Sequence, residues 1–544
     1  MHFKIKTIKN KKYLYIVKNQ RINGKMKRVI EKYIGNADTI YELTNGADNH
    51  KVTSFQFGRI AALLHASEKL EFIESIDKII KRRNQKGLTV GQYLLLMIIG
   101  RSEGAYSRNK MEDWYQHSGM SFIWTERNKL SAQNCLNYMK RLTDEKIKRI
   151  EEEIAKRLYE QGYSPSKLIF DTSNFYTNIV KGEKLPRKGN SKHKRYDKNI
   201  VGVGLVVNDD NIPFMSEAYE GNRHESELFV EMFETISKRI ESLKVDAKEI
   251  TMVFDRGVNS EENVKEVMKR MHLVGSLNRE QAKKYFEESL DKYEKIKGKG
   301  SKSACKVKRY DGENLYGNEC TVVVRYNEKT EKRQRETYEK YRSKIEVVVK
   351  ELKEKGNREG KGRKLGEKGA INKLTDVIPQ QYRGIYEYGV VTDDKKVKVK
   401  CEVIKKREEE LYKSFGKQAI FTDNQELETG EIANIYNRKE KIEEDFKWLN
   451  NKLLIPMKPF YVWKDLTIRA HVFLCMMGLL LYRYIASEIG EKNISVERLA
   501  EILDRIKIAV VKEEGNKAEM VVEEMEKESA NIFSRLRLDR YVPW

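Results

Sequence analysis

Asp171, Asp255 and Glu443 are three carboxylates far apart in the sequence, each in a context that can present it to a substrate. Asp171 ends the apolar run Leu168-Ile169-Phe170, and Asp255 ends Ile250-Thr251-Met252-Val253-Phe254. Both runs read as buried strands that deliver an acid at the carboxyl edge of a sheet, where α/β folds place their sites. Glu443 falls instead in a helical stretch, Tyr436 to Lys447. Three converging carboxylates offer hard oxygen ligands for two divalent ions, an arrangement suited to phosphoryl transfer on nucleic acid. Two plainer readings stand beside it. The chain holds 83 Asp and Glu, mostly solvated charges, and an Asp after a strand can simply cap the next helix.

The background charge favours the chemical reading. Lys and Arg outnumber Asp and Glu by 106 to 83, a net charge of +23 over 544 residues. An excess of that size points to a polyanionic partner, most simply DNA or RNA. A lysine-rich host composition would explain the lysines but not their excess over acids. The length suggests about three domains, and 39% hydrophobic residues suffice for real cores. Cys135, Cys305, Cys320, Cys401 and Cys475 form no CxxC pair and read as reduced thiols; the eight His are equally dispersed. The first residues lack the apolar segment of a signal peptide. The strongest apolar run, Val472 to Tyr482, is too short to span a bilayer and reads as a core helix. These features predict a cytoplasmic protein with no membrane partner.

Several elements must position the acids. Residues 1–50 contain a basic β-hairpin, with Asn23-Gly24 as its turn; it could lie on DNA or simply be solvated. Residues 51–160 read as a helical DNA-binding region, with Thr89 and Ser131 as helix caps. Residues 161–280 give the order β-β-β-α-β-α-β, in which Ser260 starts the second helix, and this order matches a ribonuclease H-like core. Residues 281–415 read as a β-rich basic insertion with a charged helix over about 328–355. The Gly356–Gly369 stretch is either part of a basic arm or a solvated loop. Residues 416–490 return to the core, and 491–544 read as a C-terminal helical segment. The fold class is α/β.

In the stretch around Glu443, Ile432, Ile435, Ile442, Phe446 and Leu449 form the buried stripe. Tyr436, Lys439, Glu443, Lys447 and Asn450 lie on the neighbouring stripe. Glu443 between cations reads either as an ordinary surface partner of lysine or as a metal ligand flanked by phosphate-binding groups.

With these residues in view, the chain resembles DDE transposases of prokaryotic insertion sequences, in the IS-four superfamily and its IS-sixteen-thirty-four-like branch. The resemblance rests on the opening Tyr13–Gly35, Asp171-Thr172-Ser173-Asn174-Phe175-Tyr176, the Gly189–Lys192 turn and Glu220-Gly221-Asn222. It continues in Phe254-Asp255-Arg256-Gly257 and Ile468-Arg469-Ala470-His471. It implies that Asp171, Asp255 and Glu443 are the catalytic, metal-binding triad for Mg²⁺, with Mn²⁺ as a substitute. The superfamily's Tyr-Arg-Glu-Lys signature places Tyr at Tyr436 and Glu at Glu443, with Lys439 at the Arg position and Asn450 at the final Lys. Lys439 keeps the charge but lacks the bidentate fork, and Arg438, Lys447 and Lys452 are nearby cations that can compensate. Lys192 and Arg256 join Tyr436, Lys439, Arg438 and Lys447 as expected DNA contacts. The implied partners are double-stranded DNA, as terminal inverted repeats and target, and a second copy of the chain in a synaptic dimer. The implied location is the nucleoid. A catalytically silent DNA-binding derivative and a metal-dependent nuclease without strand transfer are the alternatives.

Overall fold

The computed structural model describes residues 2–8, 11–22, 25–36, 51–81, 87–104, 106–124, 130–296, 305–356, 366–393, 396–451, 454–490, 494–512 and 519–542. At the amino terminus, β1 (His2–Ile8), β2 (Lys11–Ile22) and β3 (Lys25–Asn36) pair antiparallel in that order. The expected hairpin is β2–β3. β1 adds a third strand that the sequence reading did not separate, with His2 opposite Val17. The Asn23-Gly24 turn lies outside the described residues.

The described residues between 58 and 160 are mainly helical, but β4 (Lys51–Gln56) precedes them as a strand. Two of their helices start where the hydroxyls predict. The Thr89 hydroxyl accepts from Gln92 N (3.2 Å) while Gln92 Oε1 accepts from Thr89 N (2.8 Å), a reciprocal capping box. Ser131 accepts from Asn134 N in the same way.

The central feature is a nine-stranded mixed sheet. Its strands are β5 (Lys167–Thr177), β6 (Asn199–Val207), β7 (Pro213–Glu220), β8 (Thr251–Val253), β9 (His272–Ser276), β10 (Glu294–Ile296), β11 (Cys305–Leu315), β12 (Asn318–Tyr326) and, after the hairpin β13 (Tyr386–Asp393) and β14 (Lys396–Val403), β15 (Lys417–Thr422). The order is β10-β11-β12-β15-β9-β8-β5-β6-β7, with β5, β8 and β9 parallel and the other pairs antiparallel. Side-chain alternation divides the interior into two layers. Ile169, Phe175, Val201, Val203 and Leu205 face a layer shared with the helices Lys439–Trp448 and Asp465–Ile489. Leu168, Phe170 and Val206 face the helices Glu225–Ser242 and Glu261–Arg270. Gly204 lets that second layer close on β6, since a Cβ there would lie 2.6 Å from the Met232 sulfur.

Three expectations are corrected here. The segment read as a β-rich insertion gives its strands β10, β11 and β12 to the edge of the main sheet, because Val322, Val323 and Val324 are all buried and β12 pairs with β15. What remains between β12 and β15 is largely helical around the β13–β14 hairpin. There the charged helix Glu328–Gly356 buries Tyr338, Ile345, Val349 and Leu352 along one stripe, in a core of its own. Residues 357–365 lie outside the described residues. The C-terminal segment is not purely helical: β16 (Lys507–Lys512) pairs with both β17 (Glu519–Val522) and β4, a pairing that suits the β-branched run Val510-Val511. Finally, the apolar helix runs from Asp465 to Ile489 and is long and apolar enough to cross a membrane, yet 83% of its most apolar window is buried inside the protein. Its flanking charges are paired, Arg469 with Glu217 (2.6 Å) and Arg483 with Asp445 (2.6 Å). It is the core helix that the sequence suggested, at about twice the length.

Candidate active site

Strand pairing explains where Asp171 sits. β5 runs beside parallel β8 only from Lys167 to Ile169, because β8 stops at Val253. Beyond that point β5 continues on β6 alone, with Asp171 opposite Leu205 and pairing maintained through Thr177. Asp171 is therefore in mid-strand rather than at a strand end, at the level where one edge of β5 has lost its partner. Asp255 lies two residues past β8, and Val258 N closes the following turn on its carbonyl (3.0 Å). The side chain of Arg256 lies outside what the structure describes.

The two aspartates are electrostatically coupled. Burial lifts the carboxyl of half-buried Asp171 above its ordinary value; the Lys192 and Lys439 ammoniums oppose that rise, and Asp255 adds to it. Asp255 accepts from the Tyr436 hydroxyl (3.1 Å) at one oxygen and meets Lys439 Nζ (3.0 Å) at the other. Tyr436 and Lys439 are 6% and 7% exposed, so both polar tips emerge from the core only at the acid. Burial and Asp255 together push the Tyr436 hydroxyl pKa up, which keeps it a donor.

The stretch Tyr436–Lys447 is two helices rather than one. Thr429–Asn437 and Lys439–Trp448 meet at Arg438, where Arg438 N bonds Ile435 O (3.2 Å) and Lys441 N bonds Arg438 O (3.0 Å), both three residues apart. Such tightened turns break the α-helical ladder. The break lets Tyr436 and Lys439 reach Asp255 from successive helices. It also commits Arg438 elsewhere: its guanidinium bonds the Asp209 carbonyl (2.9 Å) and carboxylate (3.1 Å), at the amino-terminal end of β5. The predicted apolar stripe of Ile432, Ile435, Ile442, Phe446 and Leu449 is buried throughout.

Glu443 is exposed and opens, with Asp255, Tyr436 and Lys439, onto a groove of about 400 Å³. Arg279, Arg325 and Lys417 bring positive charge to the same walls. The structure thus couples two of the three acids and sets the third on the same groove. Among the described residues no three His, Cys, Asp or Glu side chains are arranged to hold a metal ion. One turn before Glu443, the Lys439 ammonium pairs with Asp255. Asp171 and Asp255 both carry hard oxygen donors and both feel the Lys439 charge, so their donor chemistry fits a divalent ion. Lys447 is exposed, one turn beyond Glu443, and does not line the groove. Lys452 lies outside the described residues.

Lys192 reaches the acids from the turn after β5. Its Nζ donates to Thr172 O (2.5 Å), and its backbone N donates to Asn174 Oδ1 (3.0 Å). Sequence reasoning missed Glu225. Its carboxylate accepts from the Thr172 hydroxyl (2.5 Å), lies 3.6 Å from Lys192 Nζ, and its other oxygen borders Gly257. It therefore bonds the residue after Asp171 and lies beside the turn after Asp255. An acid in the first turn of a helix reads as a partner of the helix dipole, which hides any second role. Arg279, Arg325 and Lys417 carried no sequence signal, since only the fold gathers them.

No curated protein matches the chain. A model of the family described as the transposase DDE domain matches residues 163–477, from just before β5 into the long core helix. That match covers more than half of the chain and holds both aspartates, Glu443 and the cationic groove. The protein therefore belongs to the DDE transposase family, nucleotidyl-transfer enzymes that act on DNA and generally use divalent metal ions.

Proposed function

We propose that the protein is the transposase of an insertion sequence, in the IS-four superfamily and its IS-sixteen-thirty-four-like branch, built on a ribonuclease H-like core. Asp171, Asp255 and Glu443 are its catalytic carboxylates, and Mg²⁺ is its ion, with Mn²⁺ as a substitute. The observation that carries this reading is the coupling of Asp171, on β5, to Asp255, just past its parallel neighbour β8, beside a cationic groove that Glu443 also lines. Bound divalent ions supply charge neutralisation for a reacting phosphodiester and its nucleophile. Asp171 and Asp255 would hold them, with Glu443, on the groove that Asp255 lines, as the third carboxylate. With that charge supplied, Lys439 would be free of Asp255 to meet a phosphate, while Tyr436 would keep the other Asp255 oxygen oriented. Lys192, bonded beside Asp171, supplies a second cation for the strand. The amino-terminal region binds the terminal inverted repeats, and two copies of the chain bridge two ends.

Asp255→Asn tests the reading. It keeps the Tyr436 bond while removing one metal-binding charge. Metal-dependent cleavage of DNA carrying the element's ends falls by roughly a hundred- to a thousandfold, the scale of losing one electrostatic group from a reacting centre, and binding of the same DNA persists. Undiminished cleavage by the variant removes Asp255 from the site; cleavage by the wild type without strand joining identifies a nuclease instead.

A further inference from the structure

A second cationic site lies farther along β5. The Tyr176 ring, near the end of that strand, has the Lys458 ammonium 3.9 Å from its centroid and the Arg195 guanidinium at 5.1 Å. His193 packs edge-on to the same ring at 6.1 Å. Two like charges therefore share one aromatic ring. Asp197 pairs with Arg195 (2.7 Å), but among the described residues no carboxylate pairs with Lys458. Burial and Arg195 both act against its charge. A half-buried ammonium beside a guanidinium, without an acid of its own, is an arrangement that an anion would relieve.

What surrounds these charges narrows the anion. Trp463 is 62% exposed and Tyr196 63% exposed, large rings left in solvent on the same two loops as the cations. Those loops are fixed to each other: Lys184 N and Leu185 N donate to the Asp465 carboxylate (2.9 and 3.2 Å), and Asp465 N donates to Glu183 (2.9 Å). Tyr461 is held at a φ of +53°, with its carbonyl bonded by Arg108 (2.9 Å). A side-chain-bearing residue adopts that conformation only where its surroundings enforce it. Open rings on the same two loops as a cation with no acid partner match the two halves of a nucleotide, a base face and a phosphate. A duplex has its bases already stacked, so the rings suit unpaired bases.

We propose that Lys458, Arg195 and Tyr176 bind a backbone phosphate of single-stranded DNA, and that Trp463 and Tyr196 stack its unpaired bases. The proposal rests on the reading that this protein acts on DNA. Tyr176 lies five residues along β5 from Asp171, about 17 Å at the usual rise of a strand. Five residues is an odd offset, so the two side chains leave β5 on opposite faces, and the site holds a separated strand beyond the acids rather than on their groove.

The test is fluorescence anisotropy of the full-length protein in EDTA, so that no cutting intervenes. One probe is a blunt mixed-sequence duplex; the other is the same duplex with a single-stranded 3′ extension. Wild-type protein binds the extended probe more tightly. Trp463→Ala weakens that binding roughly 5- to 150-fold, the range for one stacked base. Lys458→Gln also weakens it, and lowers the salt slope by about 0.7, the value for one phosphate contact on a single strand. Trp463→Ala leaves the slope unchanged. Both variants bind the blunt duplex within about twofold of wild type, since neither residue touches paired bases. Tyr196→Ala, whose ring is mostly in solvent, keeps the test open if Lys458→Gln fails to fold. Wild-type affinity of all variants for the extended probe overturns this site while DNA binding stands. Equal losses on both probes overturn stacking on unpaired bases. Failure of the wild type to bind either probe removes the DNA reading itself.

Discussion

Two ion pairs on the helix Lys439–Trp448 face different surroundings and serve different ends. Asp445 is fully buried, receives two bonds from Arg483 at one oxygen (2.9 and 2.6 Å), and has Trp448 beneath the guanidinium (4.2 Å). Its other oxygen is buried with no hydrogen-bond partner among the described residues. Six residues earlier, Lys439 is almost as buried, but its partner Asp255 is 49% exposed and stands in the groove. The exposure of the acid, rather than of the cation, separates them. Asp445 can exchange Arg483 for nothing else, whereas Asp255 can exchange Lys439 for any cation that enters the groove. One pair fixes the helix; the other holds a site in readiness.

The largest effect follows from breaking the buried pair. Arg483→Met keeps most of the packing against Trp448 but leaves the Asp445 carboxylate uncompensated, a cost of about 3–5 kcal/mol. Adding Asp445→Leu recovers most of that loss, since an apolar pair of similar volume carries no desolvation penalty. Urea unfolding of the two variants measures both values. A loss below about 1 kcal/mol for Arg483→Met, well under the cost of a bared buried charge, would show that Asp445, which burial already pushes up to about 7, takes up a proton once Arg483 is gone.

Breaking the groove pair has a smaller effect on stability and a larger one on metal. Lys439→Ala changes stability by about 1 kcal/mol or less, because water reaches Asp255 and screens the attraction. It also frees Asp255 from its resident ammonium. Mg²⁺ added without DNA therefore raises the melting temperature of the variant more than that of the wild type, by the linkage of binding to folding. Cleavage falls about tenfold for lack of the phosphate-binding cation, and Lys439→Arg restores it. Equal Mg²⁺ effects on the melting of both proteins would mean that Lys439 does not compete at Asp255.

This contrast was only partly legible in the sequence. The apolar stripe from Ile432 to Leu449 placed the helix surface correctly, because burial periodicity is a local property. So were the caps at Thr89, Ser131 and Ser260. The order of strands and helices from β5 to β9 also reads locally. Asp171 was misplaced at a strand end because what prolongs β5 is pairing with β6, a strand that begins only after the long turn carrying Lys192. The break at Arg438 goes with its bond to Asp209, a residue 229 positions earlier in the chain. The joining of β4 to β16 spans most of the chain. Each miss is a long-range partner that composition and spacing do not encode. Asp445 was invisible for a related reason: it stands beside Glu443 and Glu444 in sequence, and only the fold turns it inward.

The smallest expected effect concerns Lys447, the cation that spacing set beside Glu443. It is exposed and outside the groove lining, one helical turn past Glu443. A glutamate and lysine four residues apart on an exposed helix face stabilise it by about 0.2–0.5 kcal/mol at most. Lys447→Ala should therefore shift unfolding by no more than that and leave the cleavage rate within about twofold, the kinetic equivalent of so weak a pair. The double variant with Lys439→Ala should cleave no more slowly than Lys439→Ala alone, because a residue outside the groove cannot inherit the lost contact. A further loss of about tenfold in the double variant would reverse the assignment, since independent sites add and only coupled ones depart from it. It would mean that bound DNA brings a phosphate to the outer face of the helix, where Lys447 meets it.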